Sequence, residues 1–172
     1  MKLTTKLITT SAIMAALVFV LTILVRVPVP ALNGQAYFNL GDTMIYFAAY
    51  VQGGMPAMFA AGIGSFLADL SVGAVVYAIP TLIIKGFMGF LCGYMMKKGN
   101  FRMYLLACII GGAIMTFGYA LFEYFAFDVA YVLVSLPANC IQWACGAGVA
   151  LVLYKVAKKT KSMLSLERSR CS

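Results

Sequence analysis

Long apolar runs alternate with short polar interruptions along this chain. Apolar stretches cover about 5–25, 40–53, 55–72, 76–96, 102–126 and 131–157, and each is predicted to be a helix. Crossing a bilayer's hydrocarbon core takes roughly 20 helical residues, so these runs read as transmembrane spans. The second is too short to cross unless it begins upstream, within 37–40. Gln52-Gly53-Gly54-Met55-Pro56 then reads as a tight turn whose proline suits a helix first turn. The first run follows Lys2 and Lys6, as a signal peptide would. It continues to about Val25 with no small-residue cleavage site near its end, so a retained helix is expected. The predicted fold is an all-α membrane protein, a six-transmembrane-helix bundle over residues 1–161. A loose cytoplasmic tail is expected over 162–172.

Composition supports the bilayer. The chain is 63% apolar and 10% charged, more apolar surface than a soluble core of 172 residues can hide. The net charge of +8 does not point to nucleic acid, because the charges sit at the ends of the runs. If six spans alternate, Lys2, Lys6, Lys97, Lys98, Arg102, Lys155, Lys158, Lys159 and Lys161 share one side. Asp42, Asp69, Glu123 and Asp128 fall toward the other, with Arg26 the basic exception. Basic residues favour the cytoplasmic face, which places both termini there.

Several chemistries are disfavoured. There is no histidine, and the five cysteines show no metal-ligand spacing, so no metal site or disulfide framework is expected. No Walker-type loop is present, so the chain does not bind ATP that way. Nothing resembles a catalytic constellation, and neither enzymatic activity nor a cofactor is expected.

Polar groups inside the runs carry the functional signal, because each is costly in hydrocarbon unless paired or wetted. Lys85 lies on a stripe with Tyr77, Thr81 and Gly89. It can pair with Asp42 or Asp69, either as a structural ion pair or beside a ligand. Gly112, Thr116, Tyr119 and Glu123 share one face of the fifth run. Ser135, Asn139, Gln142, Trp143 and Gly146 share a face of the sixth. Amides, an indole and a carboxylate suit a small, flat, polar heteroaromatic ligand. The alternative is hydrogen bonding between neighbouring helices. The candidate ligand contacts are Glu123, Asn139, Gln142 and Trp143, then Lys85 and Tyr119, with Asn33 and Gln35 from the connection at 26–39. The 26–39 connection, stiffened by two prolines and carrying Asn33, Gln35 and Asn39, reads as a lid or as an ordinary loop. Ala12-x-x-x-Ala16 in the first run permits close approach of another helix.

Ala12-x-x-x-Ala16, Phe38-Asn39-Leu40-Gly41-Asp42, Gly62-Ile63-Gly64-Ser65-Phe66-Leu67-Ala68-Asp69-Leu70 and Tyr77-Ala78-Ile79-Pro80-Thr81-Leu82-Ile83-Ile84-Lys85-Gly86 together carry a family likeness. The chain resembles a substrate-binding S component of an energy-coupling factor (ECF) vitamin transporter, in the branch with hydroxymethylpyrimidine, pyridoxine and riboflavin carriers. That resemblance implies a subunit of the prokaryotic plasma membrane that captures a vitamin outside. It implies delivery inward with a transmembrane coupling subunit and two ATPase subunits. It also implies that Ala12 and Ala16 meet the coupling subunit, and that the first outer loop and helices four to six hold the ligand. A pyrimidine or pyridine vitamin precursor is the favoured substrate. Riboflavin, a self-sufficient permease and a membrane scaffold are the alternatives.

Overall fold

A computed structural model describes residues 5–29 and 37–170. Its helices are α1 Thr5–Leu24, α2 Gly41–Gln52, α3 Gly54–Ser71, α4 Val75–Met95, α5 Phe101–Ala126, α6 Val129–Val152 and α7 Tyr154–Arg170. Strands β1 Arg26–Pro28 and β2 Tyr37–Asn39 pair antiparallel, with Val27 opposite Phe38. Among the described residues, α1, α4, α5 and α6 are long and apolar enough to cross a membrane.

At the centre lies α2. Its 12 residues rise only about 18 Å, well short of the ~30 Å hydrocarbon core. Nine of those residues are buried, so other helices rather than lipid solvate it. Met14, Val18 and Thr22 form the inward stripe of α1 at four-residue steps. Ile13, Leu17, Val20 and Leu24 face outward. An exposed apolar face of this kind is unfavourable in water and favourable in lipid.

Small residues set the closest helix contacts. A Cβ on Gly89 would lie 2.6 Å from the Ala57 carbonyl oxygen, so α4 presses directly onto the backbone of α3. Gly64 meets α1 in the same way, its position 2.5 Å from the Ala15 carbonyl. The α1–α3 contact therefore runs through Ala15 and Val18, and leaves Ala12 and Ala16 exposed. Gly53, at φ 85°, makes the left-handed step between α2 and α3. Pro56 follows in the first turn of α3, where a missing N–H costs nothing.

Side-chain caps begin α5 and α6. Asn100 accepts from the Met103 N–H at 2.8 Å to start α5, and Asp128 accepts from the Tyr131 N–H at 2.7 Å to start α6. Leu40 occupies the α2 cap without a side-chain bond, and the Gly41 N–H donates instead to Asn39 Oδ1 at 2.8 Å. Asp42, in the first turn of α2, is buried and turns inward to Lys85.

The C-terminal part differs from its expected form. The sixth predicted run, 131–157, is divided at Leu153 between α6 and α7. Where the polar residues after Lys161 read as a loose tail, the helix continues to Arg170. Buried Ala157, part-buried Leu164 and the Tyr154 and Lys161 anchors give α7 an inward face. That face secures a helix whose composition alone does not suggest packing.

Candidate functional site

The strand pair, the starts of α2, α4 and α6 and the ends of α1, α3 and α5 meet at one end of the bundle. Between them lies a cavity lined by Thr22, Tyr37, Asn39, Ser65, Asp69, Tyr77, Thr81, Lys85, Tyr119, Glu123, Asn139 and Gln142. All twelve have polar side-chain atoms, in a bundle whose outer surface is largely apolar. Polar groups so placed make this cavity the candidate binding chamber.

Lys85 pairs with Asp42, both almost completely buried. The other Asp42 oxygen, Oδ2, accepts from Gln142 Nε2 at 2.8 Å. Gln142 Nε2 also reaches Met115 Sδ at 3.0 Å. Its Oε1 accepts from the Asn39 backbone N–H at 2.9 Å and from Asn39 Nδ2 at 3.3 Å. The Gln142 amide is thus saturated by protein partners. It ties α6 to α2 and to the base of β2.

Asp69 takes a separate position. Tyr37 Oη donates to its Oδ1, joining β2 to α3. Burial raises the Tyr37 phenol above its usual pKa, with the neighbouring Asp69 charge adding to the effect, so the proton stays available to donate. Asp69 Oδ2 is buried without a hydrogen-bond partner among the described residues. The guanidinium of Arg26 stacks over the Tyr37 ring at 5.1 Å.

Glu123 occupies the third position. Ser135 Oγ donates to its Oε2, and Tyr77 Oη donates to its Oε1 at 3.0 Å. Tyr77 has one hydroxyl proton, so its 3.0 Å contact with Tyr131 Oη is a bond that Tyr77 accepts. Tyr131 stacks on Phe127 with centroids 4.2 Å apart, forming an aromatic wall at the α5–α6 turn. Thr81 Oγ1 and Tyr119 Oη are bonded at 2.9 Å, and Lys85 Nζ lies 5.5 Å from the Tyr119 ring centre.

Of the candidate contacts, Glu123, Asn139, Gln142, Lys85 and Tyr119 line the cavity. Asn139 makes no side-chain hydrogen bond within the described residues, which leaves its amide free. Trp143 is not brought to the cavity. Adjacent helical residues point about 100° apart, so Gln142 and Trp143 cannot share a direction. The indole instead packs on Gly112 and donates to the Cys108 carbonyl at 3.1 Å. Asn33 and Gln35 lie outside the described residues. Asp42, Asp69 and Lys85 do not form a triad of direct bonds: Lys85 bonds Asp42, while Asp69 bonds Tyr37. Tyr37, Thr22 and Ser65 are lining residues that helical stripes did not reveal.

The cavity has about 40 Å³ of room for water centres, enough for a few waters and too little for a ring system. A second hollow, about 570 Å³ and nearly all apolar, runs along the outside between α1 and α3. Ala12 and Ala16 line it with Phe59 and Ile63.

Residues 2–159 match the family described as ECF-type riboflavin transporter, S component. An uncharacterized protein in the gap 3' region of Pyrococcus woesei is 42% identical over 117 residues, which is 67% of this chain and 72% of that protein. The family match runs through every element that builds the polar chamber, and the chain belongs to the ECF-type riboflavin transporter S component family.

Proposed function

We infer that this chain is the vitamin-capturing subunit of an ECF importer, and that riboflavin is its substrate. ECF S components bind a vitamin and work with a coupling component and ATPases. The family description names riboflavin, which moves the favoured ligand from the hydroxymethylpyrimidine or pyridoxine expected from the sequence.

One observation carries the choice of ligand chemistry. Among the described residues, Lys85 is the cation in the chamber wall and is already matched by Asp42, whereas Asp69 and Glu123 meet only hydroxyl donors. A ligand rich in hydroxyl and N–H donors and free of negative charge complements such a wall, and an anionic one opposes it. Riboflavin, with its polyol chain and ring N–H, fits that requirement. Neutral or cationic pyridoxine and hydroxymethylpyrimidine fit it in part, with fewer donors.

In this reading the chain crosses the prokaryotic plasma membrane six times, α2 doing so as a short helix that starts only at Gly41 and is enclosed by its neighbours. The strand pair faces outward, and both termini lie in the cytoplasm. Asn139, Asp69, Glu123 and the remaining Lys85 protons contact the vitamin, Tyr119 shapes the wall, and Gln142 braces it. The cavity is smaller than a flavin, and we assign entry to a movement of β2 that parts Tyr37 from Asp69.

The test is mass spectrometry of small molecules released from freshly purified, detergent-solubilised protein, followed by titration with riboflavin, pyridoxine and hydroxymethylpyrimidine. Stoichiometric riboflavin, or saturable quenching of flavin fluorescence, is expected. Binding of the pyridine or pyrimidine alone would overturn the flavin assignment. ATP-independent vitamin uptake into liposomes by the lone chain would favour a permease.

A further inference from the structure

The end of the bundle opposite the chamber carries a positive surface. Lys97, Arg102, Lys155, Lys158 and Lys159 are exposed there, and none forms an ion pair among the described residues. Most of the chain's acidic residues lie elsewhere. Four of the five (Asp42, Asp69, Glu123 and Asp128) lie toward the chamber end, and only Glu167 follows in α7.

This surface is held in place. Tyr154 and Tyr50 both donate to the Gly99 carbonyl, at 3.3 and 2.9 Å. Lys161 Nζ sits 4.5 Å from the Tyr50 ring centre and 3.4 Å from the Met96 carbonyl. With Ala157 fully buried between these anchors, the first turns of α7 are fixed against the bundle. Lys155 and Lys159, four residues apart, project from one outward face, with Lys158 beside them.

The neighbours of these cations are apolar. Val156 and Met163 are each more than half exposed on α7. Tyr94 and Phe101 are exposed at the adjoining ends of α4 and α5, and the Phe101 ring contacts Tyr154 with centroids 5.1 Å apart. Exposed aromatics beside the end of an apolar span mark headgroup depth, and a helix mixing lysines with apolar side chains suits the same layer.

We propose that the first turns of α7, with Lys97 and Arg102, form a binding surface for anionic phospholipid headgroups. The lysines supply charge, while Val156, Met163, Phe101 and Tyr94 enter the edge of the acyl region. The surface then fixes the rotation and depth of the bundle at this face of the membrane.

The full chain would be reconstituted in nanodiscs of phosphatidylcholine containing phosphatidylglycerol, re-extracted in mild detergent, and its retained lipids counted by native mass spectrometry. Phosphatidylglycerol should be enriched at least about threefold over its share of the bilayer, and 0.5 M salt during extraction should remove most of that excess. Replacing Lys155, Lys158 and Lys159 with glutamine should return enrichment to about one. The thermal midpoint would report that the variant is folded. If it does not fold, the salt dependence of the unmodified chain decides. Absence of headgroup preference in the unmodified chain would overturn the proposal, as would salt-insensitive enrichment or enrichment that persists in a folded variant. So would salt-sensitive capture of a soluble acidic polypeptide in place of lipid. None of these outcomes depends on which vitamin the chamber holds.

Discussion

Gln142 Nε2 on α6 donates to Asp42 Oδ2 on α2 at 2.8 Å, across 100 residues of chain. Lys85 on α4 meets the other oxygen of the same carboxylate, so one buried side chain joins three helices. Lys85→Met would leave that carboxylate buried without its cation, a loss of about 3–5 kcal/mol for such pairs. Asp42→Asn combined with Lys85→Met should regain most of it. Thermal unfolding in detergent measures the recovery. Riboflavin titration of the double variant then separates bracing from contact. Restored stability with affinity weakened at least about tenfold would assign the free Lys85 protons to the ligand. Unchanged affinity would make the pair purely structural.

Trp143 should be dispensable for binding and important for packing. A Cβ on Gly112 would lie 1.7 Å from the indole Cδ1, so Gly112→Ala forces the ring away from α5. A destabilisation of about 1–3 kcal/mol is expected from such overpacking. Trp143→Phe keeps much of the ring contact and should leave riboflavin affinity within about threefold. Thermal midpoints and fluorescence titration of both variants check this. A large loss of affinity in a stable Trp143→Phe variant would return the indole to the binding site.

Helix positions were legible in the sequence because apolar runs and capping residues report on the backbone locally. Asn100 and Asp128 stand at the helix starts that the runs suggested. The polar stripes located the chamber as well, since Tyr119, Glu123, Asn139 and Gln142 all line it. Side-chain direction was less legible. The stripe 135–146 spans too wide an arc for every member to face one cavity, and Gly112 was the unread sign that something large packed there. Tyr37 escaped because extended segments have no helical period, and its Asp69 partner lies 32 residues away. The register of β1 with β2, which sets where Tyr37 sits, depends on tertiary pairing that no short window shows.

Tyr37→Phe should loosen the entrance without removing its bulk. The hydroxyl bonds Asp69, while the ring keeps its stack with Arg26. A hydrogen bond to a charged group contributes about 1.5–3 kcal/mol, so bound riboflavin should dissociate roughly 10- to 100-fold faster. Stopped-flow recovery of flavin fluorescence measures the rate. An unchanged rate would mean that β2 does not gate release.

Glu123→Gln keeps the size of a buried residue and removes its charge. The amide can accept from one of Tyr77 and Ser135, and its NH₂ group faces the other donor unfavourably. Affinity for riboflavin should fall by about 10- to 100-fold, matching 1.5–3 kcal/mol for hydrogen bonds to a charged acceptor. Calorimetric titration would read this, with the thermal midpoint as control. Equal affinity would place Glu123 outside ligand recognition.

Ala12 and Ala16 are one turn apart on the exposed face of α1 and line the apolar hollow against α3. Ala15 and Val18, not these alanines, make the close contact with Gly64. Enlarging Ala12 and Ala16 should therefore disturb nothing inside the bundle. Within lipid, helix association depends on close packing of small residues, so filling the hollow would block a docking helix. Ala12→Leu with Ala16→Leu should leave riboflavin binding and thermal midpoint unchanged, while copurification with the coupling subunit and its ATPases falls below about a tenth. The effect should be steric: Ala12→Ser with Ala16→Ser should retain assembly, because serine is nearly as small. Full assembly by the leucine variant would move the docking surface away from α1. Lost riboflavin binding in that variant would show instead that α1 transmits strain to the chamber through Thr22, four residues on from Val18.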